Sequence, residues 1–218
     1  MSIPVYDLPA LGFERISFDL IVPRSVNRMG GRRTEARRFG TPYWSASYQM
    51  IYQDERGTGQ AEAWVRKLLT RGGVFKAYDL FRPRPVEAGD TPLTWTPHLT
   101  SITDGGQTAS ISGIGNDFQF REGDYVAFKM ASDLVVSLHS IAVDVKANGS
   151  GVVSLTIDPP LDTQHFTASG ATPIFEKPYC LMQPFDWSAP KSWSSRNPSF
   201  SAQEVFFYEL PEAEDEEE

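Results

Sequence analysis

Three histidines, one cysteine, the Gly-x-Gly at Gly113–Gly115 and carboxylate pairs such as Glu122/Asp124 are the residues here whose type and spacing bear on chemistry. His98, His139 and His165 fall in separate segments. They make no i, i+4 pair of the kind that puts two zinc ligands on one helix face, and no cysteine cluster stands nearby. Cys180 is alone, so an intramolecular disulfide and a multi-cysteine metal site are both excluded. As a nucleophile it would need an activating base beside it; between Tyr179 and Leu181 it reads as a small apolar filler in a strand. Ser110–Gly115 contains Gly113 and Gly115 but no third glycine and no helical pattern after them, which fits a hairpin rather than a dinucleotide fingerprint. Neither a G-x-S-x-G elbow nor a P-loop occurs. Glu122 and Asp124 are paired carboxylates of the kind a glycosidase uses, yet Arg121-Glu122-Gly123-Asp124 has the composition of a turn. Asn148-Gly149-Ser150 matches a glycosylation sequon, which carries no weight without a secretion signal. The expectation is a protein that is not an enzyme, with no catalytic, cofactor-binding or metal-ligating residues.

Charge is the stronger signal. Twenty Lys and Arg stand against 28 Asp and Glu, for a net charge of −8. Glu212, Glu214, Asp215, Glu216, Glu217 and Glu218 supply six of those acids, and the rest of the chain is nearly neutral. Arg24, Arg28, Arg32, Arg33, Arg37 and Arg38 lie within fifteen residues near the other end. The acidic run reads either as a solvated tail or as a segment that docks on the Arg-rich one, in the same chain or in a neighbouring copy. Phe39, Tyr43 and Trp44 follow the arginines and would suit stacking on single-stranded nucleic acid. A pI near 5.0 opposes a dedicated nucleic-acid binder, and none is expected as a partner. Forked pairing of guanidinium with carboxylate at a protein interface fits better. The candidate subunit-interface residues are therefore the six arginines, Glu214, Asp215 and Glu216. Trp187 and Trp193 join them, because Asp186–Trp193 shows no periodicity that would bury them in a core. Trp44 and Trp64 are assigned to core packing.

The elements that must position these residues are mostly strands. Ile16, Phe18 and Leu20 alternate on one face of a strand that Pro23 stops, and Trp44, Ala46, Tyr48 and Met50 alternate on the next. Ala61, Trp64, Val65, Leu68 and Leu69 keep helical spacing, with Thr58 as the expected N-cap and Gly72-Gly73 as the stop. Val74–Leu80 reads as a third strand. The Pro-rich stretch from Phe81 to Pro92 is a junction. Beyond it come short strands at Thr108–Gly113, Asp124–Lys129, Leu134–Val145 (bent or broken near His139) and Val152–Ile157, the last after an Asn148–Gly151 hairpin turn. Val205–Tyr208 reads as one more strand before the acidic tail. Short strands at this spacing suggest a small barrel.

This order of elements resembles the tail-tip proteins of long-tailed bacteriophages. An early strand, an Arg- and Gly-containing stretch, an aromatic strand from Trp44 and the Ala61–Leu69 helix carry the first half of the likeness. Arg121–Phe128, Asn148–Gly151 and Thr156-Ile157-Asp158-Pro159-Pro160-Leu161 carry the second. The family is the distal tail protein, or a related minor tail protein of the tip or baseplate, of siphovirus-like phages. The resemblance implies a mainly β fold with one helix: a β-sandwich plus α-helix ring-forming domain with an inserted small β-barrel, OB-like or SH3-like. It places the ring domain in residues 1–90 and 181–218, with an acidic tail from about 211, and the barrel in 91–180. It further implies a virion structural protein made in the host cytoplasm. Such a protein forms a homo-oligomeric, hexameric hub between the tail-tube protein and the hub or fibre proteins of the tip. Five Trp and eight Tyr suit extensive interfaces, and a closed ring needs two unlike, matching patches on each copy.

Three rivals stand beside it, one of them the nucleic-acid binder on Arg32, Arg33, Arg37 and Arg38 weighed above. The barrel is read alternatively as a carbohydrate-binding module for a host surface glycan, with Trp95, Tyr125 or Trp187 as its platforms. A glycan hydrolase would rest on Glu122 and Asp124. Hydrophobic residues at 40% and charged at 22% exclude wholesale disorder. The longest apolar runs fall far short of the ~18 residues of a membrane helix. Met1–Asp7 lacks a signal-peptide pattern, so a soluble chain without membrane insertion is expected.

Overall fold

The computed structural model describes the backbone of residues 3–28, 34–190 and 197–207, and the side chains of these except 26–28 and 34–36. In chain order the elements are β1 (Val5–Tyr6), β2 (Phe13–Ile21), β3 (Arg24–Arg28), β4 (Thr34–Arg38), β5 (Tyr43–Met50), α1 (Glu55–Arg71) and β6 (Val74–Ala77). There follow β7 (His98–Thr103), β8 (Thr108–Ser112), β9 (Gln119–Phe120), β10 (Tyr125–Lys129), β11 (Val136–Ile141), β12 (Val145–Lys146), β13 (Val153–Asp158), β14 (Thr172–Ile174), β15 (Cys180–Ser188) and β16 (Ser199–Glu204). The protein is mainly β, with one α-helix among the described residues.

Two compact units form: one from Met1–Phe75 with Met182–Glu204, the other from Lys76–Leu181 with the chain after Glu204. The first is thus made from two separate segments of the sequence around an insertion.

The first unit has a six-stranded sheet in the order β1-β6-β15-β16-β5-β2, in which β1 and β6 are parallel. On β5, Trp44, Ala46, Tyr48 and Met50 are buried while Ser47 on the other face is exposed, as period-2 alternation requires. Tyr48 stacks on Phe200 of β16 with ring centroids 5.1 Å apart. Trp64 of α1 packs against Phe200 and Phe75, each at 5.2 Å, and its indole N–H donates to Asp7 O at 3.0 Å. Ala61, Val65 and Leu68 complete the buried stripe of the helix. The helix begins one turn before the expected Thr58. Asp54 is the N-cap, its carboxylate accepting the Gly57 N–H at 2.6 Å, while the Thr58 hydroxyl donates back to Asp54 O. Gly57 and Gly59 are poor helix formers, and the aspartate cap overrides them. Gly72, at φ 59°, closes the other end in the left-handed conformation.

The second unit has a six-stranded sheet in the order β14-β10-β11-β13-β8-β7, and a two-stranded pairing of β9 with β12. Phe120, Val126, Phe128, Ile111, Leu155 and Ile157 lie in its core. Gly113 sits at φ 78°, where a Cβ would collide with the Thr96 carbonyl, so the Gly-x-Gly is a backbone crossing. The expected long strand from Leu134 does not break at His139, which lies inside β11. It breaks over residues 142–144, and β12 then pairs with β9, not with its neighbour. The third expected strand ends at Ala77, short of Leu80.

The last strand is a correction. It spans Ser199–Glu204; Val205–Phe207 follow it outside any strand, and Tyr208 lies outside the described residues. Trp187 is a second correction: it stands half-buried in β15, opposite Phe200, rather than in a loop.

Candidate functional site

Arginine collects on a ribbon. Among the described residues β3 and β4 pair only with each other, in the register Arg24↔Arg38, Ser25↔Arg37 and Arg28↔Thr34. The pairing places Arg24 directly opposite Arg38, and both are exposed, as is Arg37. Like charges facing across a strand pair repel. The Arg38 Nε–H donates to Gly40 O at 3.4 Å. Where the ribbon meets the sheet, the chain presents Ile21 (38% exposed), Val22 (42%) and Phe39 (72%) to solvent. The Phe39 N–H donates to Pro23 O at 3.2 Å, which closes this foot. The structure thereby brings Arg24 and Arg38 together on one face of the ribbon, while Arg37, opposite Ser25, lies on the other face. The side chain of Arg28 and the whole of Arg32, Arg33, Trp193, Glu214, Asp215 and Glu216 lie outside the described residues.

The carboxylate pair divides by environment. Glu122 is exposed, whereas Asp124 is buried with 4% exposure. The Asp124 carboxylate accepts backbone N–H groups from Arg121 at 2.8 Å and Val86 at 3.0 Å. Burial pushes its pKa up, against those hydrogen bonds. Asp124 therefore ties a turn to the segment before β7. Arg121 spans Glu87 and Asp144, at 2.6 and 3.0 Å. Arg84 and Glu176 form a two-pronged pair at 3.0 and 2.6 Å, and Glu176 also accepts the Leu93 N–H. These charges brace loops. Among the described residues no three His, Cys, Asp or Glu gather as metal ligands.

Of the aromatic residues expected as glycan platforms, Tyr125 is buried, while Trp95 and Trp187 are half-buried. Tyr125 is 6% exposed, its ring covered by the Arg82 guanidinium at 4.6 Å. Trp95 meets Phe118, Phe120 and Phe175 edge-on at 4.6–6.1 Å. It borders a groove of about 370 Å³ between β7 and β14, lined also by Leu93, Pro97, His98, Pro173 and Phe175.

Two buried titratable groups escaped the sequence. Glu204 (8% exposed) follows Phe200 and Ala202 on the inner face of β16. One carboxylate oxygen accepts the Trp44 N–H at 2.8 Å, and burial drives its pKa up to about 8. Its sequence signal is the alternation Phe200, Ala202, Glu204, which the more apolar Val205–Tyr208 run just after it outweighs. His139 (1% exposed) donates from Nδ1 to Pro159 O at 2.5 Å, while Nε2 has no partner among the described residues. Burial lowers its pKa to about 4. Val136–His139 are all buried, so no alternation marked it. Cys180 is fully buried and lies 3.9 Å from Ala77 O, in keeping with a filler. Compared with known proteins, the chain matches no family model and no curated sequence.

Proposed function

We propose that this chain is a structural protein of the tail tip of a long-tailed phage, a distal or minor tail protein that assembles as a hexameric ring between tail tube and tip. The observation that carries the reading is the insertion architecture. A sheet-and-helix unit is built from the chain up to Phe75 and from Met182–Glu204, with a second β-rich unit inserted between these two segments, which is the domain order the family resemblance implies. In this reading the first unit is the ring-former and the second a small barrel. The approach of the sheet-end strands β7 and β14, with Cα atoms within 8 Å, supports a barrel. The ribbon and its apolar foot supply a patch unlike the rest of the unit, as a heterologous, closing contact requires.

Native mass by light scattering, with negative-stain imaging of any large species, tests this. A closed ring of six is the expected result. A chain that stays monomeric at high concentration and also fails to join purified tail-tube protein would end the hub reading.

A further inference from the structure

The ribbon carries a charge problem that the described residues do not solve. Arg24 and Arg38 face each other across β3 and β4, with Arg37 next along the strand on the other face, all exposed, at the end of an apolar foot formed by Ile21, Val22 and Phe39. A partner matching it must be apolar first and acidic afterwards. One segment of this chain has that order: Tyr208-Glu209-Leu210-Pro211 leads into Glu212-Ala213-Glu214-Asp215-Glu216-Glu217-Glu218. Nucleic acid matches the arginines but not the foot, because phosphates need no apolar contact. The lengths agree as well. Five ribbon residues reach about 17 Å from the foot, and eleven residues in extended form span about 36 Å, so the segment covers foot and ribbon together. Within one chain, Val205–Phe207 are half-buried where they stand, with the Val205 N–H on Leu181 O. The foot stays uncovered by the chain's own described residues.

We propose that the β3–β4 ribbon and its foot are the docking surface for the 208–218 segment of a second copy of the protein. The docking rests on the ring reading for its biological sense and not for its chemistry. Guanidinium–carboxylate pairs relieve the cross-strand repulsion, and Tyr208 and Leu210 cover Phe39 and Val22. Because the partner surfaces differ, the contact is head-to-tail and propagates from copy to copy until it closes.

Two full-length variants test it by sedimentation at about 50 mM and 500 mM salt, where screening lengths differ about threefold. One carries Arg24→Glu, Arg37→Glu and Arg38→Glu; the other carries Glu212→Lys, Glu214→Lys and Glu216→Lys. Each alone is expected to weaken self-association at low salt at least tenfold, and mixing the two to restore it. In a parallel test Arg37→Cys and Glu214→Cys chains are mixed. A disulfide between the two chains, exceeding either homodimer, is the expected product; native Cys180 is buried and does not compete.

Association indifferent to both charge sets overturns the proposal. So does a disulfide that forms only when both cysteines sit in one chain. Arg-dependent binding of a short DNA duplex, with the acidic segment irrelevant, also overturns it and makes the ribbon a nucleic-acid surface. Rings that survive both charge sets would remove the docking and leave the hub intact. Monomers at every salt with no mixed disulfide would remove the docking and leave the hub to its own test on tail-tube protein.

Discussion

At the scale of single residues, Asp124 and Gly113 show why chemistry-like motifs in this chain are structural. Removing the Asp124 carboxylate leaves two backbone N–H groups, of Arg121 and Val86, without their acceptor in a buried turn. Each such group costs about 1–3 kcal/mol. Asp124→Ala is therefore expected to lower unfolding free energy by about 2–4 kcal/mol in urea titration, while Glu122→Gln, at an exposed position, changes it by less than about 0.5 kcal/mol. Comparable losses from the two substitutions would refute the division of roles. Gly113→Ala forces a Cβ against the Thr96 carbonyl at a φ that L-residues avoid. The carboxylate pair and the Gly-x-Gly were visible in the sequence, and so was their turn-forming composition. What composition does not carry is which member of the pair is buried, since that depends on Val86, 38 residues away in the chain.

At the scale of elements, the strongly periodic segments were legible and the weakly periodic ones were not. β5 alternates over eight residues, and α1 keeps its apolar stripe from Ala61 to Leu69, so both show through. The start of α1 did not, because Asp54 and Thr58 are both residues that cap helices, and the hydrogen bond from the Gly57 N–H to the Asp54 carboxylate decides between them. Asp54→Ala is expected to cost about 1 kcal/mol, seen as a lower thermal midpoint, and Thr58→Ala much less. The reverse order would restore Thr58 as the cap. Short strands such as β9, β12 and β14 have two or three residues and no period to read; their partners define them. β15 was obscured by Pro184 and by the register shift between Pro184 and Asp186, which takes Trp187 out of simple alternation. β16 is mostly small and polar, so its buried set Phe200, Ala202 and Glu204 is legible only once its start is known. Phe200 joins Tyr48, Trp64 and Phe75 in one aromatic cluster. Phe200→Ala should accordingly cost about 3–5 kcal/mol, measured by denaturant midpoint; a loss under about 1 kcal/mol would mean that strand and helix do not share that core.

At the scale of the whole molecule, Glu204 and His139 give the units opposite responses to pH. In the first unit the folded state holds Glu204 protonated up to about 8, whereas the unfolded chain releases that proton near the ordinary 4.5. Between those values the unfolded state binds fewer protons, so stability falls as pH rises, by up to about 1.4 kcal/mol per pH unit, and levels off above about 8. In the second unit His139 charges at about 4 when folded and 6.5 when unfolded, so stability falls as pH drops through that window. Asp133, Asp144, Asp162 and Glu176, held below the usual carboxylate range, act in the same direction as His139, and Asp124 acts against it. Hydrogen exchange on the full chain, corrected for intrinsic rates, reads each unit separately. Protection in β5 and β16 is expected to decline from pH 5 to pH 8, and protection in β11 and β13 to decline from pH 6.5 to pH 4. Glu204→Gln keeps an acceptor for the Trp44 N–H and removes the ionisation, so it should flatten the first profile and leave the second untouched. A first profile that is already flat in the unsubstituted protein would show that Glu204 ionises normally, and would withdraw the buried, protonated carboxyl as a feature of the sheet.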